Sequence, residues 1–142
     1  MPVVRIALST SVPAASRDIG ACVYTAMRET IGIPEGDNFQ IITRHGPDEL
    51  IFNPTFYGID RTDGFMIIEI TLAKGRQDEV KQALFARITS LLEDKCDVRP
   101  ADVMITLHEA GLADMSLGLG RAQFVEDLPP HLQNLSTADT RS

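Results

Sequence analysis

The sequence predicts an α+β fold in which two duplicated β-α-β units form a four-stranded mixed sheet with two helices on one face. Three observations carry that prediction. Short β-branched or aliphatic runs open each half, at residues 3–8 and 66–72. A stretch with apolar residues at three-four spacing follows each run, and a second short apolar run closes each half after a turn containing proline and aspartate. The chain of 142 residues is long enough for one domain with a real core, and its 44% apolar and 23% charged residues are ordinary for a folded globular protein.

Taken in order, Val3 to Leu8 is the first strand, broken by Ser9-Thr10-Ser11-Val12-Pro13. Ser16 is a suitable N-cap for the first helix, whose apolar face carries Ile19, Cys22, Val23, Ala26, Met27 and Ile31. Gly32 stops it, with Pro34 two residues beyond. After the turn Pro34-Glu35-Gly36-Asp37-Asn38, residues 39–43 read as the second strand. Residues 44–64, rich in Gly, Pro, Asp and Asn, form a long connection with a short strand at 49–52. The order then repeats. Residues 66–72 are a strand, Gln77 to Leu92 a helix with Val80, Ala83, Leu84, Ile88, Leu91 and Leu92 on one side, and Asp102 to Leu107 a strand.

Sliding one unit over the other sets Arg5-Ile6-Ala7-Leu8 on Glu69-Ile70-Thr71-Leu72, an offset of 64 (70 minus 6), and Asp37 on Asp102 at 65. These pseudo-repeats, about 2–44 and 66–109, lie in a single domain over 1–125, and 126–142 read as an extended arm and a frayed tail. With both helices on one face, the other face of the sheet is bare, and a closed symmetric oligomer is expected to cover it.

Thirteen Lys and Arg against 20 Asp and Glu give a net charge of −7, which disfavours a nucleic-acid partner. No apolar run approaches a membrane span, and the N-terminus lacks the basic and apolar regions of a signal peptide, so a cytoplasmic location is expected. The two cysteines, Cys22 and Cys96, lie 74 residues apart without metal or disulfide spacing, and the three histidines are scattered. No metal or cofactor is implied.

Pro2 follows the initiator methionine, and a small residue there usually means that Met1 is removed. The proline nitrogen would then be a free secondary amine. Such an amine titrates near ~7.7 to 8.0 and lower in an apolar pocket beside cations, which makes it a general base at neutral pH. The plainer alternative is a proline that opens an edge strand. Lys74 and Arg76 flank Gly75 directly after the third strand and suit an acidic ligand, although Arg76 could instead pair with Asp78 or Glu79. At the offset of 64, Lys74 and Arg76 fall on Thr10 and Val12, and Pro2 on Met66, so the amine belongs to one half and the cations to the other. Asp37 could handle water or substrate, yet Asp102 in the matching turn favours a structural turn residue.

On these residues the chain resembles the tautomerase superfamily, which uses an amino-terminal proline. Gly32-Ile33-Pro34, Asp37-Asn38-Phe39-Gln40, Arg61-Thr62-Asp63, Gly75-Arg76, Asp102-Val103 and Gly118-x-Gly120-x-Ala122-Gln123-Phe124 look like its malonate semialdehyde decarboxylase branch. The resemblance spans roughly residues 2 to 125 and implies a homotrimer acting on a small carboxylate. It matches Pro2 to the catalytic proline, Asp37 to the aspartate that handles water or substrate, and Arg76 to one carboxylate-binding arginine. Lys74 replaces the second arginine. Met115-Ser116-Leu117-Gly118 replaces a Trp-Ser-Phe-Gly wall, leaving Met115 and Leu117 as softer apolar lining. Two reactions fit: tautomerisation of a 2-keto acid by neutral Pro2, and decarboxylation of a 3-oxo acid by cationic Pro2 with Asp37. A non-catalytic ferredoxin-like binding module is the rival from another class.

Overall fold

The computed structural model describes residues 1–135. Its strands β1 (Val3–Ser9), β2 (Phe39–His45), β3 (Met66–Ala73) and β4 (Val103–Ala110) form one sheet in the order β2-β1-β3-β4. The pairs β1/β2 and β3/β4 are parallel and the central pair β1/β3 is antiparallel, as expected of two β-α-β units set head to tail. Helices α1 (Ser16–Ile31) and α2 (Asp78–Cys96) cover one face. The core lies between them: Val4, Ile6 and Leu8 of β1 and Met66, Ile68, Ile70 and Leu72 of β3 alternate inward and meet Ile19, Val23, Met27, Leu84, Ile88 and Leu92.

The duplication is visible in the backbone. Thr10 N–H donates to the His45 carbonyl at 2.9 Å, and Lys74 N–H donates to the Ala110 carbonyl at 2.9 Å, the same bond at the end of each first strand. β1 lies in the interior of the sheet, so the edge-strand account of Pro2 does not apply.

Several expectations are corrected. Ser16 is not the N-cap: Ala15 holds that place without a side-chain cap, and the Ser16 hydroxyl instead accepts from Arg44 Nε at 3.1 Å. No strand forms at 49–52, because Glu49 and Leu50 N–H both turn back to the Gly46 carbonyl at 3.1 Å, while Phe52 stacks on Phe65 at 4.5 Å. Helix α2 runs one turn past Leu92, to Cys96, and ends on Asp97 in the left-handed region. From 126 to 135 the chain is packed: after the short helix α3 (Gln123–Glu126), a turn at Pro130–Leu132 buries Leu132 completely. The tail expected beyond it, 136–142, lies outside the described residues.

Among the described residues nothing covers the opposite face of the sheet. Val3, Phe39, Ile41 and Met104 are 40 to 52% exposed there, beside Arg5, Glu69 and His108. Among the described residues no helix is long and apolar enough to cross a membrane.

Candidate active site

The register places Val3 between Phe39 of β2 and Thr71 of β3, so the residues just before β1, just before β2 and just after β3 converge at one end of the sheet. That convergence gathers Met1 and Pro2, Asp37, and the loop from Ala73 to Arg76. The C-terminal segment closes over them: Phe124 and Leu132 pack on Ala73, joined by Met1, Leu112, Met115, Leu128 and Leu135, in an apolar cluster separate from the main core. Pro2 is buried.

The amino terminus lies 3.8 Å from Asp37 Oδ2, with the two side chains only 14% and 11% exposed. Burial lowers the pKa of this amine below its usual 8.0; Asp37 opposes that shift and Arg76 adds to it. The duplication explains why Asp37 is available. In the second half, Asp102 accepts from Thr62 N–H and from the Thr62 hydroxyl, both at 2.6 Å, because the chain continues upstream past Phe65. In the first half no described residue does for Asp37 what Thr62 does for Asp102. Asp37 Oδ1 is accordingly buried with no hydrogen-bond partner among the described residues.

Arg76 donates from Nη1 to the Ala73 carbonyl at 2.9 Å rather than pairing with the acidic residues of the first turn of α2. Burial lowers its pKa, with Glu109 opposing, and a guanidinium so placed remains a cation. Gly75 must be glycine: its φ is +122°, and a Cβ there would come 2.9 Å from the Leu135 carbonyl oxygen. Lys74 is exposed. Met115 belongs to the apolar wall, whereas Leu117 is 42% exposed on a turn where its N–H donates to Gln123 Oε1 at 2.9 Å.

The geometry therefore brings Pro2, Asp37, Arg76 and Met115 together and leaves Leu117 outside. It also adds a group that the sequence reading set aside. His131 interacts electrostatically with the amino terminus, Asp37 and Arg76, and its Nε2 is buried without a hydrogen-bond partner among the described residues. Burial chiefly lowers its pKa, with the nearby amine and Arg76 adding to the shift and Asp37 opposing it. One signal was available: Leu128, Leu132 and Leu135 stand at helical spacing around it. Among the described residues no group of three metal-ligating side chains occurs. An amine with a lowered pKa, a guanidinium and a carboxylate beside an apolar wall form a set suited to moving protons on a small carboxylate.

Residues 37–118 match a family described as tautomerase enzyme. The chain is 36% identical over 104 residues to the probable tautomerase YusQ of Bacillus subtilis (strain 168), covering 73% of this chain and 82% of that protein. Among solved structures it is similar to a malonate semialdehyde decarboxylase inhibited by 3-bromopropiolate, with a TM-score of 0.82 and 34% identity over 90% of this chain and 98% of that one. A fused 4-OT in a symmetric trimer shares the fold at a TM-score of 0.72 and 18% identity, over 88% of this chain and 98% of that one. With more than half its length matched and a relative above 30% identity, the chain belongs to the tautomerase enzyme family.

Proposed function

We propose that this protein is an acid–base tautomerase of small 2-keto acids or their enols, with the α-amino nitrogen of Pro2, freed by removal of Met1, as the proton-transfer group. The observation that carries the reading is the covered amino terminus between Asp37 and Arg76, where burial favours the neutral amine. Removal of Met1 moves the free amine onto Pro2 and takes the Met1 side chain out of the apolar cluster, leaving its place to a substrate. Arg76 holds the carboxylate and Lys74 adds positive charge to the same loop. The Pro2 nitrogen takes a proton from one atom of the enol system and returns it to another, beside the wall that includes Met115. Leu117 joins the substrate surface only when a neighbouring subunit covers it. A homotrimer formed through the bare sheet face, in the cytoplasm, completes the reading; the trimeric fused 4-OT of the same fold supports it.

A second reading, decarboxylation of a 3-oxo acid, is favoured by the similarity to a malonate semialdehyde decarboxylase and by Asp37, which raises the pKa of the amine. There a protonated Pro2 polarises the carbonyl while Asp37 and Arg76 place the departing carboxylate. Intact mass and peptide mapping after exposure to 3-bromopropiolate test the proposal. Loss of Met1 and a label confined to Pro2 are expected, with labelling half-maximal below pH 8 and no label in Pro2→Ala. Half-maximal labelling well above pH 8 supports the decarboxylase reading instead. Retained Met1, or a label elsewhere, removes the proline mechanism and favours the non-catalytic binding module.

A further inference from the structure

We infer that His131 is a substrate-contacting residue of this site, its Nε2 hydrogen bonding the keto or enol oxygen of a short oxo acid whose carboxylate Arg76 holds. The inference rests on the proposed Pro2 site and names what else in it recognises substrate. Two buried polar atoms around the amino terminus have no partner among the described residues: Asp37 Oδ1 and His131 Nε2. A buried polar atom without a partner is uncommon in a folded protein, because it forgoes its hydration for nothing. One belongs to the carboxylate beside the amine, on the turn before β2, and the other to an imidazole of the C-terminal segment that interacts with that amine, and together they mark a place prepared for a polar molecule.

The segment that carries His131 is fixed. Leu132 is fully buried on Ala73 and Phe124, with Leu128 and Leu135 packed on the same cluster, so the imidazole is held from both sides along the chain. The charged groups that face it are the amino terminus, Asp37 and Arg76. Burial disfavours an imidazolium most, and Arg76, with the amine whenever it is protonated, adds to that against Asp37, so the ring meets a ligand as a neutral group. A neutral imidazole donates or accepts one hydrogen bond at Nε2 without adding charge, which suits a carbonyl or enol oxygen and leaves the carboxylate to Arg76. The chemistry selects a short acid bearing a second oxygen over a simple fatty acid, since a ligand lacking that oxygen leaves Nε2 unpaired.

The test uses the mature full-length protein with pyruvate, propionate as the analogue lacking the oxo group, and 3-bromopropiolate as the Pro2 reporter. Dissociation constants for pyruvate and propionate are measured for the wild type, His131→Phe and His131→Gln, and the rate of Pro2 labelling is measured for each. The expected result is that the wild type prefers pyruvate, that His131→Phe loses about tenfold of that preference, and that His131→Gln keeps most of it. Labelling by 3-bromopropiolate, which has no oxo oxygen, reports in each variant whether the amine remains reactive, and the pyruvate preference is compared between variants that still take the label. An unchanged preference in His131→Phe overturns the inference, as does a wild type that binds pyruvate no better than propionate. Equal losses of labelling and of both affinities in the two variants assign His131 a purely structural role and overturn it too. Failure of the Pro2 reading shows separately, as absence of label in wild type.

Discussion

Asp37 and Asp102 hold matching turns in the two repeats but meet different surroundings. Asp102 is nearly fully buried and accepts two short hydrogen bonds from Thr62, with Arg99 3.6 Å away. Replacing it with alanine strands the Thr62 N–H and hydroxyl, so Asp102→Ala should cost about 2 to 3 kcal/mol in urea unfolding. Asp37→Ala removes no such partner and should leave stability within about 1 kcal/mol, while lowering the pKa of the terminal amine, because Asp37 is the group that raises it. In the mature protein, where Pro2 carries the amine, Asp37→Ala is expected to move the pH dependence of labelling to lower pH. His131 adds a second pH effect. Its pKa is lowered below 6.5 in the folded chain, chiefly by burial, so the unfolded chain takes up the proton first. The stability it contributes is whole above pH 6.5 and is lost as pH falls through the lowered value. Thermal melts from about pH 7 to about pH 5 should therefore fall more steeply for wild type than for His131→Phe.

Among the elements, the C-terminal segment and the 74–76 loop depend on each other. Gly75 allows the Leu135 carbonyl to approach, and Leu132 fills the pocket beside Ala73 and Phe124. Leu132→Ala leaves a cavity in a cluster too small to close around it. It should loosen the segment, seen as faster proteolysis after residue 126 and slower Pro2 labelling, at a stability cost of about 2 kcal/mol. The two helices pack by a different device. Cys22 and Cys96 bring their sulfurs to 3.8 Å although they are 74 residues apart, and burial together with the neighbouring thiol pushes the Cys22 pKa up to about 12. A thiol so shifted is no nucleophile at neutral pH. Iodoacetamide at about pH 8 should modify Cys22 only after unfolding.

For the whole molecule, the decisive feature is the face of the sheet that no helix among the described residues covers. Phe39, Ile41 and Met104 are about half exposed on it, and Val3 pairs with Phe39. An apolar patch of that kind on a chain of net charge −7 is expected to be buried between copies of the chain. Ile41→Glu should shift the mass measured by light scattering from an assembly to a monomer while leaving the circular dichroism of the subunit in place. A mass independent of that substitution would set the face aside as the contact surface.

Much of the fold was legible because its signals are local. Alternation along β1 and β3, three-four spacing along α1 and α2, and the glycine and proline punctuation between them gave element order, and the offset near 64 gave the duplication. Pro2, Asp37 and Arg76 could be named because their chemistry stands out at recurring turns. Other features depend on contacts between distant parts of the chain, which no local pattern encodes. The tertiary structure decided that β1 is central, which places Pro2 inside the molecule. It also decided that Asp37 Oδ1 is left without a hydrogen-bond partner among the described residues while Thr62 satisfies Asp102, and that Cys22 meets Cys96. It folded the segment around Leu132 back across the site and with it brought in His131, a histidine that in the sequence stands 94 residues from Asp37 (131 minus 37). The sequence by itself determined the repeating elements and the kind of chemistry; the packing of remote segments decided which side chains share one buried pocket, because burial and charge act through space.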